Sequence, residues 1–278
     1  QYDQQVLRRL QLTEMGMLED IDRVCREHNI TYFLDAGTLL GGETPRRFHS
    51  LDDDVDLGMP RDDYERFLQE APEALGDAIV QLPEYEFASG ISICKVMLAD
   101  TRFETEETQE AGFEQGIFID IFPYDAVCSE FDDAKRQRRR CFMWQSISYL
   151  YHTKHIVVPH RGVLGAVERV ACRVAHIFVK AFVDPTRIIK DFDSAAMMAR
   201  DDPNATHLLL ASYANGGPFP KEMLLPTGEI MFEGHVFSAP ANVEGYLLQL
   251  YGSTWCELPP EPLRRNHAPV VLDFGTCS

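Results

Sequence analysis

The 278-residue chain predicts an α+β fold, a mixed sheet core flanked by helices, in one domain spanning 1–278. Three observations lead there. Residues 4–28 carry a helix-period apolar stripe. Short apolar runs bearing carboxylates, near 51–58 and 116–123, read as strands. Residues 130–200 then change to long helical patterns, a mainly helical insertion between strand-rich segments.

Composition narrows the function classes. A 45% hydrophobic and 25% charged chain of this length buries a sizeable core. The net charge of -18 argues against a general nucleic-acid binder, since phosphate backbones reward excess Lys and Arg. It leaves nucleotide substrates open, because a bound cation reverses the local field. Seven widely spaced cysteines without a C-x-x-C pair favour reduced thiols in a cytoplasmic protein. His152, His155 and His160 lack neighbouring Cys or carboxylate ligands and read as helix-end histidines. No apolar run reaches the ~18 residues needed to span a bilayer. No signal peptide is evident, and the start at Gln1 leaves a removed leader open.

In order, Leu7, Leu10, Met17, Ile21 and Val24 share one face of the first helix, with Asn29 as its stop. Ile30 to Leu34 is rich in strand formers and runs into Asp35-Ala36-Gly37-Thr38, a tight turn opening a short helix. Free N–H groups there, with the Thr38 hydroxyl, suit a phosphate, although glycine turns are common in α/β chains. The run Leu51-Asp52-Asp53-Asp54-Val55-Asp56-Leu57-Gly58 reads as an acidic turn or as a strand starting at or inside it. Alternation puts Asp52, Asp54 and Asp56 on one side and Asp53 on the other. Carboxylates this close need a compensating charge, and a divalent cation supplies one. Pro60 opens a helix through about Leu68, and residues 78–105 form a meander of short strands. There Lys95 either snorkels from a strand edge or points at an anion.

Gly116 to Pro123 is apolar on both faces and reads as a central strand, with Phe118, Asp120 and Phe122 sharing a side. Burying Asp120 makes sense beside the same cation; otherwise it caps a loop or pairs with an arginine. Helices follow over 131–151 and 163–182, the second expected to pack its broad apolar face on the core. The basic cluster Lys135 to Arg140 is a solvated face or a contact for anionic head groups. Met231 to Phe237 resembles a hairpin, and a helix from about Asn242 ends at Gly252.

A Gly-Thr turn, an Asp-x-Asp strand and a later buried Asp together suit magnesium, which takes oxygen ligands and keeps substrate phosphates in its shell. Such a site favours in-line attack on phosphorus.

The segments Tyr32 to Gly41, Asp52 to Gly58 and Gly116 to Asp125 resemble the LicD family, which includes bacterial phosphocholine transferases and, more distantly, fukutin-type proteins. Lys95, Thr101, Tyr251-Gly252, Pro259-Pro260, Arg264 and His267 extend the likeness. The resemblance implies a nucleotidyltransferase-like core, with Asp54, Asp56 and Asp120 as catalytic metal ligands. Gly37, Thr38, Lys95, Arg46, Arg264 and His267 would bind substrate. It implies Mg2+, with Mn2+ as the alternative, and transfer of phosphocholine from CDP-choline to a sugar hydroxyl of a cell-surface glycan or its lipid-linked precursor, releasing CMP. Peripheral contact with the inner face of the membrane would fall to the cluster near 135–140. The chain departs from the family pattern where Thr44 replaces an arginine and His49-Ser50-Leu51 replaces an Ile-Pro-Trp lead-in. Arg46 or Arg47 would substitute, and the donor becomes phosphocholine or a related alcohol phosphate on CDP. Two other readings remain: nucleotidyl transfer from a nucleoside triphosphate, and an inert binding protein on the same fold.

Overall fold

A computed structural model describes residues 2–43, 53–76, 78–81, 93–112, 114–152, 162–256, 267 and 269–275. Helix α1, Gln4–His28, starts where the Asp3 carboxylate accepts from Gln5 and Val6 N–H groups. It stops at Asn29, whose φ of 51° places it in the left-handed region. Its expected stripe of Leu7, Leu10, Met17, Ile21 and Val24 is buried.

The chain then forms β1 (Phe33–Leu34), shorter than the run from Ile30 suggested, and α2 (Ala36–Glu43). After residues outside the description come β2 (Asp56–Pro60) and α3 (Arg61–Ala74). The strand therefore begins inside the acidic run, and the helix continues beyond Leu68 with Pro72 within it. Next are β3 (Ala78–Gln81), β4 (Cys94–Leu98), β5 (Arg102–Glu104), α4 (Glu106–Ala111) and β6 (Phe118–Ala126). Strand β6 is central. It pairs parallel with β2 on one edge. On its other edge β4 takes the first half, while β7 (His207–Leu210) takes the second, both antiparallel. The outer positions go to β1 beside β2, β3 beside β4, and β8 (Phe219–Pro220) beside β7. This mixed sheet with flanking helices is the α+β class expected.

Gly58 shows why glycine follows Leu57. A Cβ there would stand 2.3 Å from Phe33 and 2.8 Å from Tyr124, whose rings meet edge-on at 5.1 Å. Both rings are held in the core, so neither yields cheaply. Gly58→Ala is expected to cost about 1–3 kcal/mol by overpacking. Urea unfolding should report it as a lower midpoint at unchanged slope.

Three helices follow β6: α5 (Phe131–His152), α6 (Gly162–Phe182) and α7 (Pro185–Ala196). Helices α5 and α7 share a small core of Cys141, Trp144, Ile188, Phe192, Ala195 and Ala196. Helix α6 corrects an expectation: its apolar face, with Val167, Val170, Val174, Ile177 and Phe178, is exposed instead of packed on the core. Its least exposed stripe, Gly165, Glu168, Cys172, His176 and Val179, is mostly small or polar, and α6 contacts α5. The His176 ring donates from Nδ1 to the Leu150 carbonyl at 2.7 Å. His152 ends α5, while His155 and His160 lie outside the described residues.

The chain closes through α8 (Lys221–Leu224), the expected hairpin β9 (Gly228–Phe232) and β10 (His235–Ala239), α9 (Val243–Tyr251) and β11 (Val271–Asp273). Glu233 and Gly234, at φ of 51° and 88°, make the two-residue hairpin turn. Asn242 caps α9 through the Gly245 N–H, and Gly252 ends it.

Candidate functional site

Charged residues line up across three adjacent strands. Asp56 on β2 stands in register with Asp120 on β6, and Asp120 with Lys95 on β4. The Lys95 ammonium lies 2.6 Å from Asp120 Oδ1 and 3.8 Å from the centre of the Phe118 ring. Lys95 is therefore directed at an anion from an inner strand. Asp120 pairs with a lysine, the partner that its apolar surroundings require. Thr38 is buried in α2, and its hydroxyl accepts from the Asp56 N–H at 2.9 Å. It thus fixes the first residue of β2. Gly37 sits half-buried in the first turn of the same helix.

Asp53 takes a direction of its own. It is buried, accepts from the Tyr2 hydroxyl at 2.7 Å, and accepts from the backbone N–H of His267 at 2.9 Å. Burial pushes its carboxyl up, but the hydrogen bonds from His267 and Tyr2 outweigh that and hold it below the usual range. The His267 imidazole is raised, first by its hydrogen bond to Asp53 and then by the charges of Asp54 and Asp53, against desolvation. Its Nδ1 lies 3.8 Å from Asp54 Oδ2. Among the described residues, Asp53, Asp54 and His267 bring ligand atoms within 4.8 Å of one another; Asp54, Asp56 and Asp120 do not form such a group. Lys95 draws Asp120 one way and His267 draws Asp54 another, as mutual repulsion among carboxylates favours.

Of the expected residues, Asp54, Asp56, Asp120 and His267 nevertheless line one cavity of about 540 Å³, whereas Gly37, Thr38 and Lys95 are not part of its lining. Asp35 joins the lining. It is buried at the end of β1 and accepts from the Tyr124 hydroxyl at 2.8 Å, the Tyr246 hydroxyl and the Ala36 N–H. Burial raises its carboxyl, and the tyrosine bonds oppose the rise. Six aromatic residues also line it: Phe122, Tyr124, Tyr213, Phe219, Tyr246 and Tyr251. Tyr213 is 54% exposed overall, but its phenolic end is desolvated. That desolvation, and then the charges of Asp120, Asp56 and Asp54, push its hydroxyl up to about 12. One phenol thus senses all three aspartates. Gln145 brings α5 to the same cavity.

Sequence reasoning missed Asp35, Asp53, Tyr213 and Tyr246 as site residues. Asp35 carried a usable signal, a carboxylate ending an apolar strand before a glycine turn. The tyrosines carried none, because aromatic residues in helices and turns are ordinary core or surface residues. Arg46, Arg264, Asp52, Thr44 and Arg47 lie outside the described residues.

Residues 29–164 match the family described as LicD/FKTN/FKRP, nucleotidyltransferase domain. The chain carries a LicD-family domain. The lipopolysaccharide cholinephosphotransferase LicD of Haemophilus influenzae is 26% identical to it over 275 residues, covering 94% of this chain and 95% of that one. The LicD-family match holds Asp35, Asp54, Asp56, Lys95 and Asp120. Tyr213, Phe219, Tyr246, Tyr251 and His267 come from beyond it and close the same cavity.

Proposed function

We propose that this chain is a phosphotransferase that moves phosphocholine from a CDP-activated donor to a hydroxyl of a lipopolysaccharide glycan or its lipid-linked precursor, releasing CMP. The observation that carries the reading is one cavity that carboxylates and aromatic residues line together. A quaternary ammonium is attracted to aromatic faces and to buried anions. The cavity offers six aromatic residues with Asp35 among them, so choline suits it better than an uncharged alditol. The named activity of the LicD relative points the same way.

Asp54, Asp56 and Asp120 line one cavity with hard carboxylate oxygens, a donor chemistry that suits magnesium or manganese, and they would hold the ion by turning together from their contacts with Lys95 and His267. When bound, it would neutralise diphosphate charge and polarise the phosphorus. Thr38 fixes Asp56 through the backbone, and Lys95 orients Asp120 through its carboxylate. The acceptor oxygen forms a bond to the choline-side phosphorus while the bond from that phosphorus to the bridging oxygen breaks. CMP leaves with the bridging oxygen and its electron pair. The hydroxyl proton passes to a carboxylate of the row.

The test follows product release from CDP-choline, CDP-ribitol, CDP-glycerol and nucleoside triphosphates, with magnesium and a lipopolysaccharide acceptor lacking phosphocholine. CMP from CDP-choline is expected. Pyrophosphate from a triphosphate would replace the reading with nucleotidyl transfer. Failure of every donor to bind would indicate an inert binding protein. Tyr213→Ala should weaken CDP-choline binding about tenfold while leaving CDP-glycerol binding unchanged, the loss of one cation–π partner. Isothermal calorimetry on both donors checks it, and equal losses would remove Tyr213 from choline recognition.

A further inference from the structure

Helix α6 turns outward the face that a packed amphipathic helix buries. Val167, Val170, Val174, Ile177 and Phe178 recur at helical spacing and are exposed, and Phe182 is exposed at 80%. The side toward the protein is the Gly165, Glu168, Cys172 and His176 stripe. At about 100° per residue, Arg169, Arg173 and Lys180 fall between those two sides, and all three are exposed. Helices α5 and α6 together carry eight Lys and Arg against three Asp and Glu, a net +5. With -18 on the whole chain, the remainder carries -23.

We propose that this face docks on an anionic lipid bilayer. Helix α6 lies in the interface, its apolar side chains among the acyl chains and its basic stripe at the head groups. The inference rests on the reading above, in which the acceptor is lipid-bearing and held at a membrane. Charge complementarity selects the occupant. An anionic surface attracts this helix pair and repels the rest of the chain, which also sets the docking orientation. A second copy of the chain fits less well, since isologous pairing would set two such positive helix pairs side by side. Spanning is excluded by Glu168, Arg169, Arg173 and Lys180 within the helix, and no helix among the described residues is long and apolar enough to cross.

The experiment is co-flotation of the full chain with vesicles of phosphatidylglycerol and of phosphatidylcholine. Wild type should float with the anionic vesicles and stay behind with the zwitterionic ones. Val174→Glu, Ile177→Glu and Phe178→Glu combined should lower the partition coefficient by about tenfold or more. The melting temperature should hold, because all three side chains are exposed. Arg169→Gln and Arg173→Gln should each weaken partition about fivefold and flatten its salt dependence. Wild type that ignores anionic vesicles overturns the proposal. So does a stable dimer in sedimentation that the triple substitution dissociates. CDP-choline binding in vesicle-free buffer reads out the transferase assignment separately: flotation without donor binding sinks that assignment and leaves the docking face standing.

Discussion

Asp120→Asn is expected to lower phosphocholine transfer roughly a thousandfold, the scale seen when a preorganised electrostatic group is removed from an active site. Asp120 holds the middle of the row, between Asp56 and Lys95 in register. Asparagine keeps its shape and removes its charge, so the cavity survives while the carboxylate row is broken. The ion pair with Lys95 complicates the variant, since a buried ammonium then loses its partner. Asp120→Asn with Lys95→Met separates the effects: stability should return towards wild type and transfer should stay lost. Asp56→Ala should match the single variant in activity, since Asp56 stands beside Asp120 in the row. The measurements are CMP release and thermal unfolding on the same preparations. Transfer within tenfold of wild type in Asp120→Asn or Asp56→Ala would remove that residue from the chemistry.

The largest stability loss is expected at Asp125→Ala, about 3–5 kcal/mol. Arg61 Nε and Nη2 donate to the two oxygens of Asp125 at 2.7 and 2.8 Å. The side chains are 9% and 1% exposed, so water does not replace the lost carboxylate. Arg61 is the first residue of α3, directly after β2, and Asp125 lies near the end of β6. The pair therefore locks the turn out of β2 onto the central strand. Differential scanning calorimetry should show the melting temperature falling on the order of 10 °C. Replacing both residues with apolar ones of similar volume should recover most of the loss, because the cost of the single variant is an uncompensated buried charge. A single variant that melts within 2 °C or so of wild type would show that α3 is held by other contacts.

Much of the site was legible because its residues break local rules. Asp120 in an apolar strand and Lys95 in another each demand a partner, and the structure makes them partners of one another. Asp54 and Asp56 stood out by number and by the strand that follows. The hairpin at Glu233-Gly234 and the stop at Asn29 followed from local backbone preference, which needs no tertiary information.

Other residues were silent for a physical reason. Tyr213 and Tyr246 are far apart in sequence from the acidic run, and only chain crossing brings them to its cavity. Asp53 was expected to face away from the row. It does turn aside, but to Tyr2 and His267 at opposite ends of the chain.

The sequence by itself determined which residues carry charge, which strands are buried and which face of each helix is apolar. These properties are local, set by residue type and by the periods of helix and strand. The tertiary structure alone decided register and orientation: Asp56 beside Asp120 beside Lys95, six aromatic residues gathered into the same cavity as the two aspartates, and α6 with its apolar face outward. Periodicity says that a helix has an apolar side. What that side meets depends on which neighbour packs against the other, and for α6 the small and polar stripe won the contact with α5.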